Sequence, residues 1–291
     1  MVGDSAGNLY GTAGGGANNA GVVYKVNPSG RETMLHTFTG GSDGGSPFAG
    51  VIRDSAGNLY GTAWGGGAAN HGVIYKLDAS GNFTVLHNFT GGPDGGRPYA
   101  SLIQDSAGNL YGTTFAGGAD NQGVVFKVNT SGHLTVLHSF TGGPAGADGA
   151  YPFAGLSGDA AGNLYGTTEY GGTAGQGTVF KVDTTGNETV LYNFTAGADG
   201  GQPKARVILD TQGNLYGTTL IGGAPSHTWA GVVFKLDPAG NETVLHSFGG
   251  ANDGRTPVAG LTLDSAGNLY GTAQVGPGEC NCGVLFKLTP Q

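Results

Sequence analysis

The sequence predicts an all-β protein: a six-bladed β-propeller of four-stranded antiparallel blades, with incomplete first and last blades. Three observations lead there. First, the nine residues DSAGNLYGT stand at 4–12, 54–62 and 105–113, with close copies beginning at Asp159, Asp210 and Asp264. The six leading aspartates are spaced by 50 to 54 residues, a period that marks repeated structural units. Second, each unit holds four short apolar segments rich in Val, Leu, Phe, Tyr and Thr, bounded by Gly, Asn, Asp and Pro, which are strand signals. Third, 61 glycines in 291 residues with only 11% charged residues suit tight turns and packed sheets. The 38% hydrophobic content is too high for disorder, and no glycine recurs at every third position as collagen requires.

Six equal units argue for one propeller domain over 1–291 rather than two domains. A right-handed parallel β-helix is the competing repeat architecture. Its coils are usually shorter and do not require four segments with two regular turns per period.

The segments follow a fixed order. P-F-A-G-L-I is expected as the innermost strand, and a short S-A-G turn leads from it into N-L-Y-G-T. In that corner Asn and Gly supply turn conformations, Leu and Tyr alternate as apolar cover, and the leading Asp can bond amides two residues on. A Gly-rich run of varied sequence leads to G-V-V-F-K-V. A second short turn, N-P-S-G in the first unit, leads to T-V-L-H-S-F, the outermost strand, and a D-G loop closes the unit. Only "MVG" precedes Asp4, and the chain stops at "GVLFKLTPQ" with no T-V-L-H-S-F, so the first and last blades read as incomplete. Alternate connections of an up-and-down blade lie on opposite faces. The two short turns therefore share one face and the two variable connections the other, and function concentrates on such loops.

The units resemble the GloVer tandem repeat of bacterial exported proteins with varied cell-surface anchors. "GTVFKVDTTGNETVLYNFTAGADGGQP" followed by "GNLYGTT" carries that likeness, which extends over nearly the whole chain. A more distant similarity, through the D-x-x-G-N-L-Y corner, is to NHL and SMP-30-like propeller repeats, which include hydrolases, lyases and binding modules. Fold therefore does not fix function. The resemblance implies a secreted or cell-surface setting and brings no catalytic motif. The chain itself begins inside a repeat, without the basic start and apolar stretch of a signal peptide.

A net charge of -8 argues against a nucleic-acid footprint. No apolar run approaches the ~18 residues of a membrane span, so membrane insertion is not expected, and a monomer is. The strand lysines (Lys25, Lys76, Lys127, Lys181, Lys235, Lys287) and the repeated His36, His87, His138 and His246, with Tyr192 in the fourth place, read as structural.

Subtracting the repeat leaves a mixed aromatic and polar set on the variable face: Trp64, His71, Arg97, Phe115, Asp120, Tyr170, Lys204, Arg206, His227, Trp229, Arg255 and Glu279, with Trp64, His71, Phe115, Tyr170, Lys204, Arg206, His227 and Trp229 as the candidate ligand contacts. Planar rings beside polar groups suit sugars, so a glycan or other small polar ligand is the expected partner; the alternative is that each loop caps its own blade. The fifth unit has the longest loop, "LIGGAPSHTWAG", and Trp229 is expected at the rim of the central funnel. Glu169 is the sole Glu after G-T-T, where other units place Gly14, Trp64, Phe115, Leu220 or Gln274. With a loop aspartate it would form the carboxylate pair of a glycoside hydrolase or lyase. Neither G-x-S-x-G, H-E-x-x-H nor G-x-x-x-x-G-K is present.

Three functions stand: a surface carbohydrate-binding or adhesion module, a secreted carbohydrate-active hydrolase or lyase, or a ligand-free scaffold. No cofactor is required. The D-G aspartates Asp43, Asp94, Asp148, Asp199 and Asp253 either order their own turns or converge on a cation such as Ca²⁺. The absence of a D-x-D-x-D loop favours the first. Cys280 and Cys282 make a poor zinc signal, and an even cysteine count in an exported protein favours a disulfide over two free thiols.

Overall fold

The computed structural model describes the chain apart from residues 17, 143–147, 224–229, 250–252, 277–281 and 290–291. The fold is an all-β, six-bladed propeller of small antiparallel sheets, and every regular element among the described residues is a strand. The chain divides into two compact units, residues 1–139 and 140–291. The strands of blades 1 to 3 lie in the first unit and those of blades 4 to 6 in the second.

Blade 1 runs Val2–Gly3, Leu9–Ala13, Val22–Val26 and Glu32–Thr37, paired in sequence order from the innermost strand outward. Blades 2 to 5 repeat that order, and among the described residues blade 6 shows three strands, the last of them Val284–Leu288.

Two expectations need correction. The innermost strands are only two residues long, Ile52–Arg53, Ile103–Gln104, Ser157–Gly158, Ile208–Leu209 and Thr262–Leu263, and the P-F-A-G segment precedes them as a loop. Proline offers no N–H to a ladder and fixes its own φ. The segment instead tethers neighbouring blades: Thr12 Oγ1 donates to Ala49 O at 2.8 Å and Thr62 Oγ1 to Ala100 O at 3.0 Å. Because two residues suffice for an innermost strand, "MVG" supplies one, and blade 1 is complete.

The repeated corner is built as its composition demands. Asp105 Oδ1 accepts from the amides of Ala107 and Asn109, both at 2.9 Å. Its Oδ2 accepts from Asn109 Nδ2 at 2.7 Å and the Tyr111 hydroxyl at 2.9 Å. One carboxylate thus fixes both ends of a turn that Gly108, at φ 85°, completes in the left-handed region. Burial and the Asp105 carboxylate together push the Tyr111 hydroxyl up to about 12. The strand lysine lies across the same ring, with Lys127 Nζ 5.6 Å from the Tyr111 centroid.

Blades are joined mainly by aromatic packing. The Phe after each outermost strand meets the aromatic of the next blade's third strand edge-to-face: Phe38 on Tyr75 (5.3 Å), Phe89 on Phe126 (5.4 Å), Phe194 on Phe234 (5.2 Å) and Phe248 on Phe286 (5.2 Å). Each such pair contributes ~0.5–1.5 kcal/mol beyond its buried area. The ring fits because the strand beside it carries glycine: a Cβ on Gly112 would stand 2.6 Å from Phe126 Cζ.

Candidate functional site

The variable face is assembled by one contact repeated in every D-G loop. The residue before each loop proline takes a left-handed backbone: Ser46 (φ 57°), Arg97 (58°), Tyr151 (55°), Gln202 (53°) and Thr256 (57°). Non-glycine residues seldom adopt this region, and holding one there stores ~1–3 kcal/mol. Two backbone bonds fix it. Arg97 N donates to His71 O at 2.7 Å, and Arg97 O accepts from Phe115 N at 3.1 Å. The same second bond joins Trp64 to Ser46, Glu169 to Tyr151, Leu220 to Gln202 and Gln274 to Thr256, at 3.1 to 3.2 Å. This backbone places the residues flanking the proline beside the residue after G-T-T, so three variable positions of the repeat meet.

In the first unit these positions form an aromatic patch. Phe48 is 57% exposed and stacks on Tyr99, with centroids 4.9 Å apart and planes at 19°. Trp64 stands edge-on to Phe48 at 6.2 Å, and the exposed Arg97 guanidinium lies over the Trp64 ring at 4.9 Å. The half-buried Phe115 meets Arg97 through the backbone bond above. His71 packs under the next D-G loop, its ring 2.6 Å from where a Cβ on Gly91 would stand, which makes it a loop support.

In the second unit the same positions carry charge. Lys204 Nζ binds Glu169 Oε1 at 2.9 Å and lies 5.4 Å from the Phe153 centroid. The Glu169 side chain is 8% exposed, so its charge is buried and countered by an ammonium. Tyr170, 39% exposed, sits edge-on to Tyr151 at 6.2 Å. Burial first, then the Glu169 carboxylate, raises the Tyr170 hydroxyl. Arg206 is exposed on the same segment.

The D-G aspartates are engaged locally. Asp43 and Asp94 accept from the Thr39 and Thr90 hydroxyls and meet His36 and His87 at 3.2 and 3.0 Å. Asp148 accepts from Thr141, Asp199 from Thr195 and Tyr192, and Asp253 meets His246 at 3.0 Å. Among the described residues, no three His, Cys, Asp or Glu gather as metal ligands would. Cys282 is disulfide-bonded, while Cys280, His227 and Trp229 lie outside the described residues.

Phe48 and Tyr99 are the site residues that the sequence does not single out, whereas Arg97 stands among the variable-face residues it leaves. The signal was present: the position after the loop proline reads Phe48, Tyr99, Phe153, Lys204 and Val258, a variability the other core positions lack.

The model of the Gloeobacter/Verrucomicrobia repeat matches residues 1–228 and 144–291, which together span the chain. Among curated protein sequences, none matches. Among solved structures, a gluconolactonase of Xanthomonas campestris is similar at 17% identity and TM-score 0.52, over 97% of this chain and 87% of its own. A Bacteroides uniformis protein provisionally assigned as a 6-phosphogluconolactonase is similar at 15% identity and TM-score 0.57, over 96% and 81%. At such identities the likeness establishes the propeller fold.

Proposed function

The chain belongs to the Gloeobacter/Verrucomicrobia repeat family, and from that premise we propose that it is a carbohydrate-binding propeller acting outside the cell or at its surface. The observation that carries this reading is the exposed Phe48–Tyr99 stack beside the Arg97–Trp64 pair. A sugar ring lays its C–H face on an aromatic plane, and a guanidinium offers several N–H donors to its hydroxyls. Arg97 already occupies one face of Trp64, which orients the fork beside the stack. The similar structures named as lactonases supply a fold and no residue roles, so their activity is not carried over.

Retention on a panel of immobilised polysaccharides, read together with release of reducing ends, tests the reading. Phe48→Ala is expected to weaken retention about 10-fold, equal to ~1.4 kcal/mol, and to leave the melting temperature within ~1 °C, since the side chain is largely exposed. Arg97→Ala should act in the same direction. Retention unchanged by either variant would remove the reading, and reducing ends released by the parent but not by Glu169→Gln would replace it with the hydrolytic one.

A further inference from the structure

We infer that the ligand of the first unit's aromatic patch is an acidic polysaccharide, whose hexuronic acid carboxylate is taken by Arg97; this rests on the carbohydrate-binding reading above. The two units build one contact with different partners. In each, the residue after G-T-T receives a cation from the proline loop that closes its blade. In blade 4 that residue is Glu169, and Lys204 Nζ meets its carboxylate at 2.9 Å. In blade 2 it is Trp64, and the Arg97 guanidinium lies over the ring at 4.9 Å.

The partners differ in what they leave unmet. The buried Glu169 carboxylate neutralises the ammonium, so Lys204 is already paired. An aromatic ring holds a cation through its quadrupole and carries no net charge. Among the described residues no carboxylate stands within ion-pair distance of Arg97, and its guanidinium has no hydrogen-bond acceptor. The acid of its own loop, Asp94, is held instead by Thr90 and His87. Arg97 is thus an exposed cation without a counter-charge, in a chain of net charge -8.

The fork is also held in place. Arg97 N donates to His71 O at 2.7 Å and its carbonyl accepts from Phe115 N at 3.1 Å, which fixes the backbone beneath the side chain, and the Trp64 face supports the guanidinium itself. Little ordering is left for binding to supply. A planar guanidinium matches a carboxylate, which accepts two parallel N–H bonds and binds more strongly than a neutral hydroxyl. In a hexuronic acid the carboxylate is attached directly to the pyranose ring. A polyuronate therefore presents, along one chain, C–H faces for the Phe48–Tyr99 stack and an anion for Arg97. A neutral glycan would meet the rings and leave the cation uncompensated.

The test compares retention of the full chain on polygalacturonate, alginate, methyl-esterified polygalacturonate, a sulfated galactan and a neutral galactan. The ester keeps the sugar and removes the charge. The parent should bind polygalacturonate at least ~10-fold more tightly than its ester at low salt, with the difference shrinking as salt screens the pair. Arg97→Gln should weaken binding of the acid about 10-fold and of the ester by less than about 3-fold. That variant should fold, because Gln202 holds the same left-handed position at φ 53°, and circular dichroism checks it. Trp64→Glu, which gives blade 2 the carboxylate that blade 4 carries, should likewise lose the preference for the acid. Equal retention of acid and ester, both weakened by Phe48→Ala, would overturn this inference and leave the carbohydrate-binding reading standing; retention of no polysaccharide would overturn both. Tighter binding of the sulfated galactan than of either polyuronate, or a preference for the acid that persists in Arg97→Gln, would overturn the assignment of a carboxylate to Arg97.

Discussion

Gly177→Ala is expected to destabilise the protein by about 4 kcal/mol and to lower its melting temperature by about 8 °C. Gly177 sits at φ 93°, where an alanine is strained whatever the space around it. Its added Cβ would also overlap the Thr168 carbonyl oxygen and stand 2.8 Å from Pro203 Cδ and 2.9 Å from Glu169 O. Two of those three obstacles are backbone carbonyls, which cannot rotate aside as a side chain does. The residue is clamped as well, its amide donating to Gly171 O and its carbonyl accepting from Phe194 N, both at 3.0 Å. Gly175→Ala provides the contrast: it has a left-handed φ of 71° but nothing within 4 Å of the new Cβ, so only about 1 kcal/mol should be lost. Differential scanning calorimetry of the two variants separates overlap from backbone strain. Equal losses would show that the Thr168 carbonyl gives way. The clamp reaches the site too, because Glu169 and Pro203 border it and the next residue is Lys204, the partner of Glu169.

Much of this architecture is legible in the sequence because the repeat states each rule six times. The bond from the leading Asp to the amide two residues on is legible from chemistry alone, whereas the Asn side chain and the Tyr hydroxyl, which read as turn former and apolar cover, also bind that carboxylate. The strand order followed from loop lengths. The innermost strand was misjudged because P-F-A-G is apolar, and apolar character alone does not separate a strand from a tether. What decides it is the proline together with the left-handed residue before it, and nothing about Ser46, Arg97 or Tyr151 as residue types announces φ near 57°.

The site was legible in part for a related reason. Subtracting the repeat exposed Trp64, Lys204 and Glu169, but it also discarded Phe48 and Tyr99, whose aromatic character agrees with the motif while their exposure does not. Lys204 and Glu169 were selected for separate roles, ligand binding and catalysis. They are 35 residues apart in the chain and bind each other at 2.9 Å, a pairing that needs the register of two blades and leaves no local trace. The aspartate–histidine contacts, by contrast, span seven residues, and their regular recurrence did support a structural reading of the histidines.

Acidification should destabilise the protein steeply below pH 4, by at least ~10 °C in melting temperature between pH 5 and pH 3. The corner aspartates Asp4, Asp54, Asp105, Asp159, Asp210 and Asp264 are all held below the usual carboxylate value of 3.8, as are Asp78, Asp183 and Asp237 of the outer turns. Asp4 falls to about 2, chiefly through the Asn8 side-chain amide, and Asp183 to about 2 through the Thr185 hydroxyl. A depressed carboxylate stabilises the fold above its unfolded pKa and loses that contribution as pH falls toward its folded one. The window therefore runs from near 3.8 down to about 2, and each exposed corner contributes little alone because solvent screens it. The effect is large only because the repeat multiplies it.

Two groups modify the neutral range in opposite directions. Burial lowers His36 against the pull of Asp43, so its contribution is lost as pH falls below 6.5. Glu242 is raised to about 7, first by burial and then by Asp199, so its contribution is complete below its unfolded value and lost as pH rises through 7. Tyr192 stands where blades 1, 2, 3 and 5 carry histidine, and its hydroxyl donates to Asp199 at 3.2 Å. Tyr192→His should therefore raise the melting temperature at pH 5 to 6 by ~2 °C or more relative to its effect at pH 8, because an imidazole beside Asp199 stabilises the fold while protonated, below about 6.5, and loses that contribution as pH rises. Melting curves of both proteins across pH 3 to 8 check the two effects at once. A parent curve that is flat below pH 4 would show that the corner bonds form equally well with protonated aspartates, and a Tyr192→His curve parallel to the parent at every pH would show that the imidazole does not pair with Asp199.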